Sequence, residues 1–328
     1  MIARMKRREF ITLLGGAAVA WPSMALGQAT SRMARIGVLW PASSPPSSPR
    51  MESFRQGLRQ LNFIEGRNLA IELRYPQRSL QELPTLAAEL VRLQVDVITA
   101  FGDYAPRVVQ EATQTIPIVA MGDDLLGAGI ITSLSQHGGN TTGVSILSPE
   151  LSAKRLEVLL EMVPGMSRVA CLWDPTTGAS QVSTTENAAR ALKLKLQVLE
   201  IRRAEDLADA FQAARNGQAQ AVNVFASPAL ASLYREIIGL AAEYRLPAIY
   251  QWREHVDAGG FISYGPNLAS LWRQSATIAV KILNGASPAD LPVEQPTKFE
   301  LALNGNTAKS LGIAIPPSIL VRADEVIE

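Results

Sequence analysis

The sequence predicts an α/β chain: two doubly wound parallel-sheet lobes joined by a multi-crossing hinge. Three observations lead there. Short β-branched runs alternate with longer segments whose apolar residues recur every three or four positions, the patterns of strands and amphipathic helices. That alternation runs through both halves, and apolar strands between such helices imply parallel sheets covered on both faces. No Gly/Ser-rich or charged linker separates the halves, so the chain is expected to pass between them more than once.

In the first half, strands are expected at 36–40, 69–73, 95–100, 116–120 and 142–147, with helices at 51–61, 80–93 and 106–113. Leu83, Leu86, Ala87, Leu90 and Leu93 make one apolar face, as a helix covering a sheet requires. The second half repeats the scheme, with strands at 168–173, 196–201, 221–225, 248–250 and 260–263 and helices at 180–192, 204–215 and 229–244. The tail changes character. A helix at 268–283 is stopped by Asn284-Gly285, residues 286–296 are proline-containing and extended, and a strand at 298–303 precedes a short helix at 307–311. A tail of this kind supplies a helix to the first lobe and then returns. The crossings are expected near 143–145, 264–266 and 291–296, which gives a first lobe of 34–143 plus 265–292 and a second of 144–264 plus 293–328.

Ahead of these elements, Lys6-Arg7-Arg8-Glu9-Phe10-Ile11 leads into an apolar stretch and the small-residue exit Ala25-Leu26-Gly27. Basic start, short apolar middle and small-residue exit are the parts of a secretory signal, and the paired arginines suggest the twin-arginine route. The apolar run is shorter than the roughly 20 residues a spanning helix needs. Residues 1–27 are therefore expected to be cleaved near Gln28, leaving 301 of the 328 residues in the periplasm. The leader holds four basic residues and one acidic, so the remainder carries 27 basic and 29 acidic residues, a net of −2. Such a balance has no electrostatic footprint for nucleic acid or anionic lipid. The remainder is expected to be a soluble monomer. Cys171 is the sole cysteine, which excludes an intramolecular disulfide and a multi-thiolate metal site; in the run Arg168-Val169-Ala170-Cys171-Leu172-Trp173 it reads as buried and inert. His137 and His255 read as solvated loop residues.

Ligands of open parallel sheets bind beyond the carboxyl ends of the strands, where the strand order reverses. The loops leaving the expected strands hold Pro41-Ala42-Ser43-Ser44, Phe101-Gly102-Asp103-Tyr104, Met121-Gly122-Asp123-Asp124, Asp174-Pro175-Thr176, Ala226-Ser227-Pro228 and Gln251-Trp252-Arg253-Glu254. Several precede helices, where free N–H groups and hydroxyls suit an anionic or polar ligand group. Helix capping is the competing use of each Ser, Thr and Asp. The aromatic residues weigh toward a ligand. Of 19 in the chain, Trp40, Phe101, Tyr104, Trp173, Phe225, Tyr250, Trp252 and Tyr264 fall at strand ends or in these loops, so closing lobes could sandwich a flat ligand. Candidate ligand contacts are Trp40, Ser43, Ser44, Phe101, Gly102, Asp103, Tyr104, Asp123, Asp174, Ser227, Tyr250, Trp252 and Tyr264. No G-x-S-x-G, Walker loop or H-E-x-x-H occurs, and neither Gly122-Asp123-Asp124 nor Glu254-His255 has a nucleophile nearby in sequence. The expectation is no enzyme, no cofactor and no metal.

The chain also resembles the ABC-transporter substrate-binding proteins of the tryptophan/tyrosine-binding type. The matched blocks include Phe54-Arg55-Gln56-Gly57-Leu58, Glu65-Gly66-Arg67-Asn68-Leu69, Gly138-Gly139-Asn140-Thr141-Thr142-Gly143-Val144-Ser145, Arg245-Leu246-Pro247-Ala248-Ile249-Tyr250, Gly259-Gly260-Phe261-Ile262-Ser263-Tyr264-Gly265, Leu291-Pro292-Val293-Glu294-Gln295-Pro296 and Arg322-Ala323-Asp324-Glu325. The resemblance implies a periplasmic-binding-protein class I-like fold that captures a small aromatic or amino-acid-like solute. It also implies delivery to an inner-membrane permease driven by a cytoplasmic ATPase. It carries ligand contacts onto Gly102, Asp123, Asp174, Ser227 and Tyr250. The sequence departs from the family at Asp103, where a Thr or Ser often stands. An ionised Asp facing a ligand carboxylate would repel it, so either Asp103 points away or the ligand presents an amine, amide or hydroxyl there. A periplasmic sensor for a signalling receptor would use the same fold; an exported hydrolase is the enzymatic alternative.

Overall fold

The structure is a computed structural model and describes residues 33–42, 48–135 and 139–328. The expected leader, Ser43, Ser44 and His137 lie outside the described residues. Among the described residues no helix is long and apolar enough to cross a membrane.

The described strands form two sheets, one of five strands and one of seven. The first holds β1 (Ala34–Leu39), β2 (Leu69–Arg74), β3 (Val97–Phe101), β4 (Ile118–Gly122) and β5 (Thr141–Ser145), all parallel. Ile36 of β1 sits between Ile71 and Val97, and β3 and β4 are buried along their whole length. Such strands read as continuous apolar runs because helices cover both faces. At Gly143 of β5 a side chain is impossible: φ is +150°, and a Cβ would lie 1.8 Å from the Ala120 carbonyl oxygen.

The second sheet is built on β6 (Arg168–Trp173), β7 (Lys195–Glu200), β8 (Ala221–Val224), β9 (Ala248–Tyr250) and β10 (Ile262–Pro266). Its order β7-β6-β8-β9-β10 repeats the order β2-β1-β3-β4-β5 of the first. In each sheet the winding direction reverses beside the first strand, between β1 and β3 and again between β6 and β8.

Helices α1 (Ser48–Gln60), α2 (Leu83–Arg92) and α3 (Tyr104–Ala112) serve the first sheet. Helices α4 (Ser148–Met162), α5 (Ser180–Ala191), α6 (Asp206–Asn216), α7 (Pro228–Ser232), α8 (Tyr234–Glu243) and α9 (Arg253–Asp257) follow, before α10 (Leu268–Leu283), α11 (Gly305–Leu311) and α12 (Pro317–Arg322). Although α10 follows β10, it packs beside α1, and Leu271, Trp272, Ala276 and Ala279 join Ile36, Val38 and Phe54 in one core. Burying each large side chain there contributes about 1.5–3 kcal/mol. The Asn267 side chain starts α10 by accepting the Ser270 N–H at 2.8 Å.

The chain then passes β5 a second time. Ser145 N–H donates to the Glu294 carbonyl and Glu294 N–H to the Gly143 carbonyl, both at 2.9 Å, and the Thr142 hydroxyl donates to the Leu291 carbonyl at 2.9 Å. It next enters β11 (Phe299–Asn304) against β10, with Tyr264 opposite Leu301. Returning from the far side, β11 runs antiparallel to β10, so the second sheet is mixed rather than wholly parallel; β12 (Glu325–Ile327) then pairs parallel to β11.

Three further features depart from the sequence expectations. Helix α4 is absent from them because Ser152 and Arg155 sit on its buried face and break the apolar period. The single helix expected at 229–244 is two, α7 and α8, where the Ser232 hydroxyl donates back to the Pro228 carbonyl at 2.9 Å, a bond that bends helices. His255 is no solvated loop residue: it is buried in α9, with its ring 5.3 Å from those of Tyr250 and Tyr234. Cys171 is free and buried, and burial pushes its thiol well above the ordinary range.

Candidate functional site

The two winding reversals come together. The loops after β1 and β3 meet the loops after β8 and β9 around a small cavity of about 40 Å3. From the first sheet and its helices come Trp40, Phe101 and Trp272; from the second come Ser227, Pro228 and Trp252. Phe101 and Trp272 stack at 4.1 Å with an interplanar angle of 16°, and Trp40 stands 5.8 Å from Phe101 and 6.0 Å from Trp272. Phe54 braces Trp272 edge-on at 6.3 Å. The rings thus form an apolar wall to which Trp252 is added from the other sheet.

Gly102, with φ +72°, lets the two sides touch: a Cβ there would come within 2.9 Å of Pro228 Cγ. Arg50 at the start of α1 reaches across to Glu254 of α9, Nη2 to Oε2 at 3.3 Å, while its guanidinium carbon lies 6.0 Å from the Trp40 ring centre.

Asp123 lines the same cavity and accepts the Ser148 hydroxyl at 2.8 Å. Burial raises its carboxyl to about 6; the Ser148 bond opposes that shift, the nearby Asp174 charge adds to it, and Arg155 opposes it. Arg155 is buried on α4, donating to the Tyr264 carbonyl at 3.1 Å and to the Ser152 hydroxyl at 2.8 Å, and burial lowers it to about 10. Desolvation, followed by repulsion from Arg50 and Arg155, drops His255 to about 3, so it is a neutral packing group.

Asp103 is absent from the cavity lining. Its Oδ1 accepts the Asp123 N–H at 2.8 Å and the Asp124 N–H at 3.4 Å, tying the loop after β3 to the loop after β4. Burial, reinforced by the neighbouring Asp123 charge, lifts its carboxyl well above the usual range.

Of the residues singled out in the sequence, Trp40, Phe101, Gly102, Asp123, Ser227 and Trp252 line the cavity; the described lining does not include the others. Asp174 caps the turn at Pro175–Thr177 by accepting from Thr176 N–H and hydroxyl at 2.9 and 2.8 Å. Ser227 also caps, accepting the Leu230 N–H at 2.9 Å, so it serves both uses. Tyr104 packs on the core under α2 and α3. Tyr250 faces a separate cavity of about 250 Å3 beside α8 and α11. Tyr264 leans on Phe299 at 6.1 Å. Arg50 and Trp272 were not among the candidates; Trp272 carried a signal only as one more apolar position of a helix expected to cover the first sheet.

A cleft between two doubly wound lobes, walled by rings and bordered by buried charges, defines a two-lobed solute-binding protein of the type I periplasmic-binding fold. Residues 35–327 match the family of ABC transporter substrate binding proteins, and the chain belongs to that family. A tyrosine-binding protein of Clostridioides difficile (strain R20291) is 23% identical over 286 residues, 86% of this chain and 82% of the relative. A crystal structure of an ABC domain from Streptococcus pneumonia in complex with L-Trp superposes with a TM-score of 0.82 at 23% identity, over 90% of this chain and 99% of that one. The ligand-free, open structure of a substrate binding protein with adhesive properties from Clostridium difficile reaches 0.63 at 22% identity, with the same two coverages.

Proposed function

We propose that the protein captures an aromatic amino acid or closely related aromatic solute between its lobes and delivers it to an inner-membrane permease. The observation that carries this reading is the ring wall of Trp40, Phe101 and Trp272 opposed by Trp252 from the second sheet. The tyrosine-binding relative and the L-Trp complex support the same ligand class. The higher TM-score against the L-Trp complex than against the open, ligand-free structure supports a closed arrangement in this chain. Closure is favoured only by a ligand that binds the closed form better than the open one, and contacts divided between two sheets supply that difference. The lobes swing about the three passages at β5, at β10–α10 and at 291–296. Export by a cleaved leader at 1–27 places the capture step in the periplasm.

Calorimetric titration of the mature chain with aromatic and aliphatic amino acids tests the ligand class. Saturable binding is expected for L-tryptophan, L-tyrosine or L-phenylalanine and none for L-leucine or L-glutamate. Trp252→Ala should weaken the aromatic ligand by about tenfold or more, the loss usual for a buried aromatic anchor. Equal binding of leucine would contradict the aromatic reading.

A further inference from the structure

We propose that Arg50 determines specificity by holding a carboxylate of the bound aromatic ligand; this rests on the aromatic-solute reading above. Arg50 is only 8% exposed and lines the ring-walled cavity. On the Nε–Nη2 edge of its guanidinium, Nη2 meets Glu254, whose side chain is 38% exposed. Its Nε has no hydrogen-bond partner. The indole Nε1 of Trp40, the ring beside the Arg50 guanidinium, is also buried in the cavity wall without a partner. Both atoms can only donate. Leaving buried donors empty is costly, and a carboxylate is the group that a guanidinium edge accommodates best. Asp123, the acidic side chain in the same wall, already accepts from Ser148 and faces the Arg155 charge, so the anionic end of a ligand belongs at Arg50 and not at Asp123. Aromatic molecules carrying a carboxylate are therefore expected to bind more tightly than their decarboxylated amines.

Calorimetry on the mature chain with L-tryptophan, indole-3-propionate and tryptamine tests this in wild type, Arg50→Gln and Glu254→Gln. Arg50→Gln should weaken both carboxylates about tenfold or more and shift tryptamine by less than about threefold, in line with the loss of a charged hydrogen bond. Glu254→Gln should leave the order of the three ligands as in wild type. If Arg50→Gln weakens all three equally, or if Glu254→Gln reproduces its effect, Arg50 acts only as a clasp between lobes and the carboxylate role is overturned. If wild type binds none of these ligands or the aromatic amino acids above, the aromatic-solute reading itself fails, an outcome distinct from a non-selective Arg50 variant. Melting curves of both variants establish that they fold.

Discussion

Asp103 is where the family resemblance left two choices, a carboxylate turned away or a ligand offering a donor. It lies outside the cavity lining, with Oδ1 held by two backbone N–H groups of the loop after β4 and Oδ2 buried without a partner. A buried carboxyl beside Asp123 holds its proton more tightly folded than unfolded, where the value is near 4. The stability gained is complete below about pH 4 and is lost as pH rises through the raised folded values, about 6 for Asp123. Asp103→Asn keeps the Oδ1 acceptor and is permanently neutral. Its melting temperature should fall less than that of wild type between about pH 5 and pH 8, ending about 2–4 °C above it, the shift expected for roughly 1 kcal/mol. Parallel melting curves across that range would show that the Asp103 charge carries no such cost.

Among the elements, the α1–α10 pair decides where Trp272 stands, because Gly57 allows the two helices to meet closely. A Cβ at Gly57 would lie 2.9 Å from Ala276 Cβ and 3.0 Å from the Arg273 carbonyl. Gly57→Val should destabilise by about 1–3 kcal/mol through overpacking, read from denaturant unfolding, and weaken ligand binding as Trp272 shifts. Unchanged stability would mean that the helices part without cost. The same pair shows what the sequence makes legible. The strands are readable because buried parallel strands are plain apolar runs, as in Val97-Ile98-Thr99-Ala100-Phe101. Helix α4 is hidden because its buried face carries Ser152 and Arg155, which hydrogen-bond to each other. Trp272 looks like any core residue of α10, and it is one, with only its outer side in the cavity. Arg50 precedes the expected start of its helix, and a charged residue at a helix end carries no sign of burial. Tyr250 misleads in the other direction. It ends a strand as ligand contacts do, yet it is buried in one core with Phe211, Val222 and Val224, its ring 5.3 Å from that of His255.

At the scale of the whole molecule, two sheets of the same strand order present their winding reversals to one another, and the passages between them give a cleft with three connections. Every other property of the site follows from that placement. The rings of one sheet need the other to enclose a ligand, Gly102 needs Pro228 opposite it, and Arg50 finds Glu254 only when the halves approach. Solution X-ray scattering of the chain without residues 1–27, with and without saturating L-tryptophan or L-tyrosine, tests this most directly. The account predicts a smaller radius of gyration once ligand is bound, with the change following the binding isotherm. Saturable binding of either amino acid with an unchanged radius of gyration would contradict capture by closing lobes.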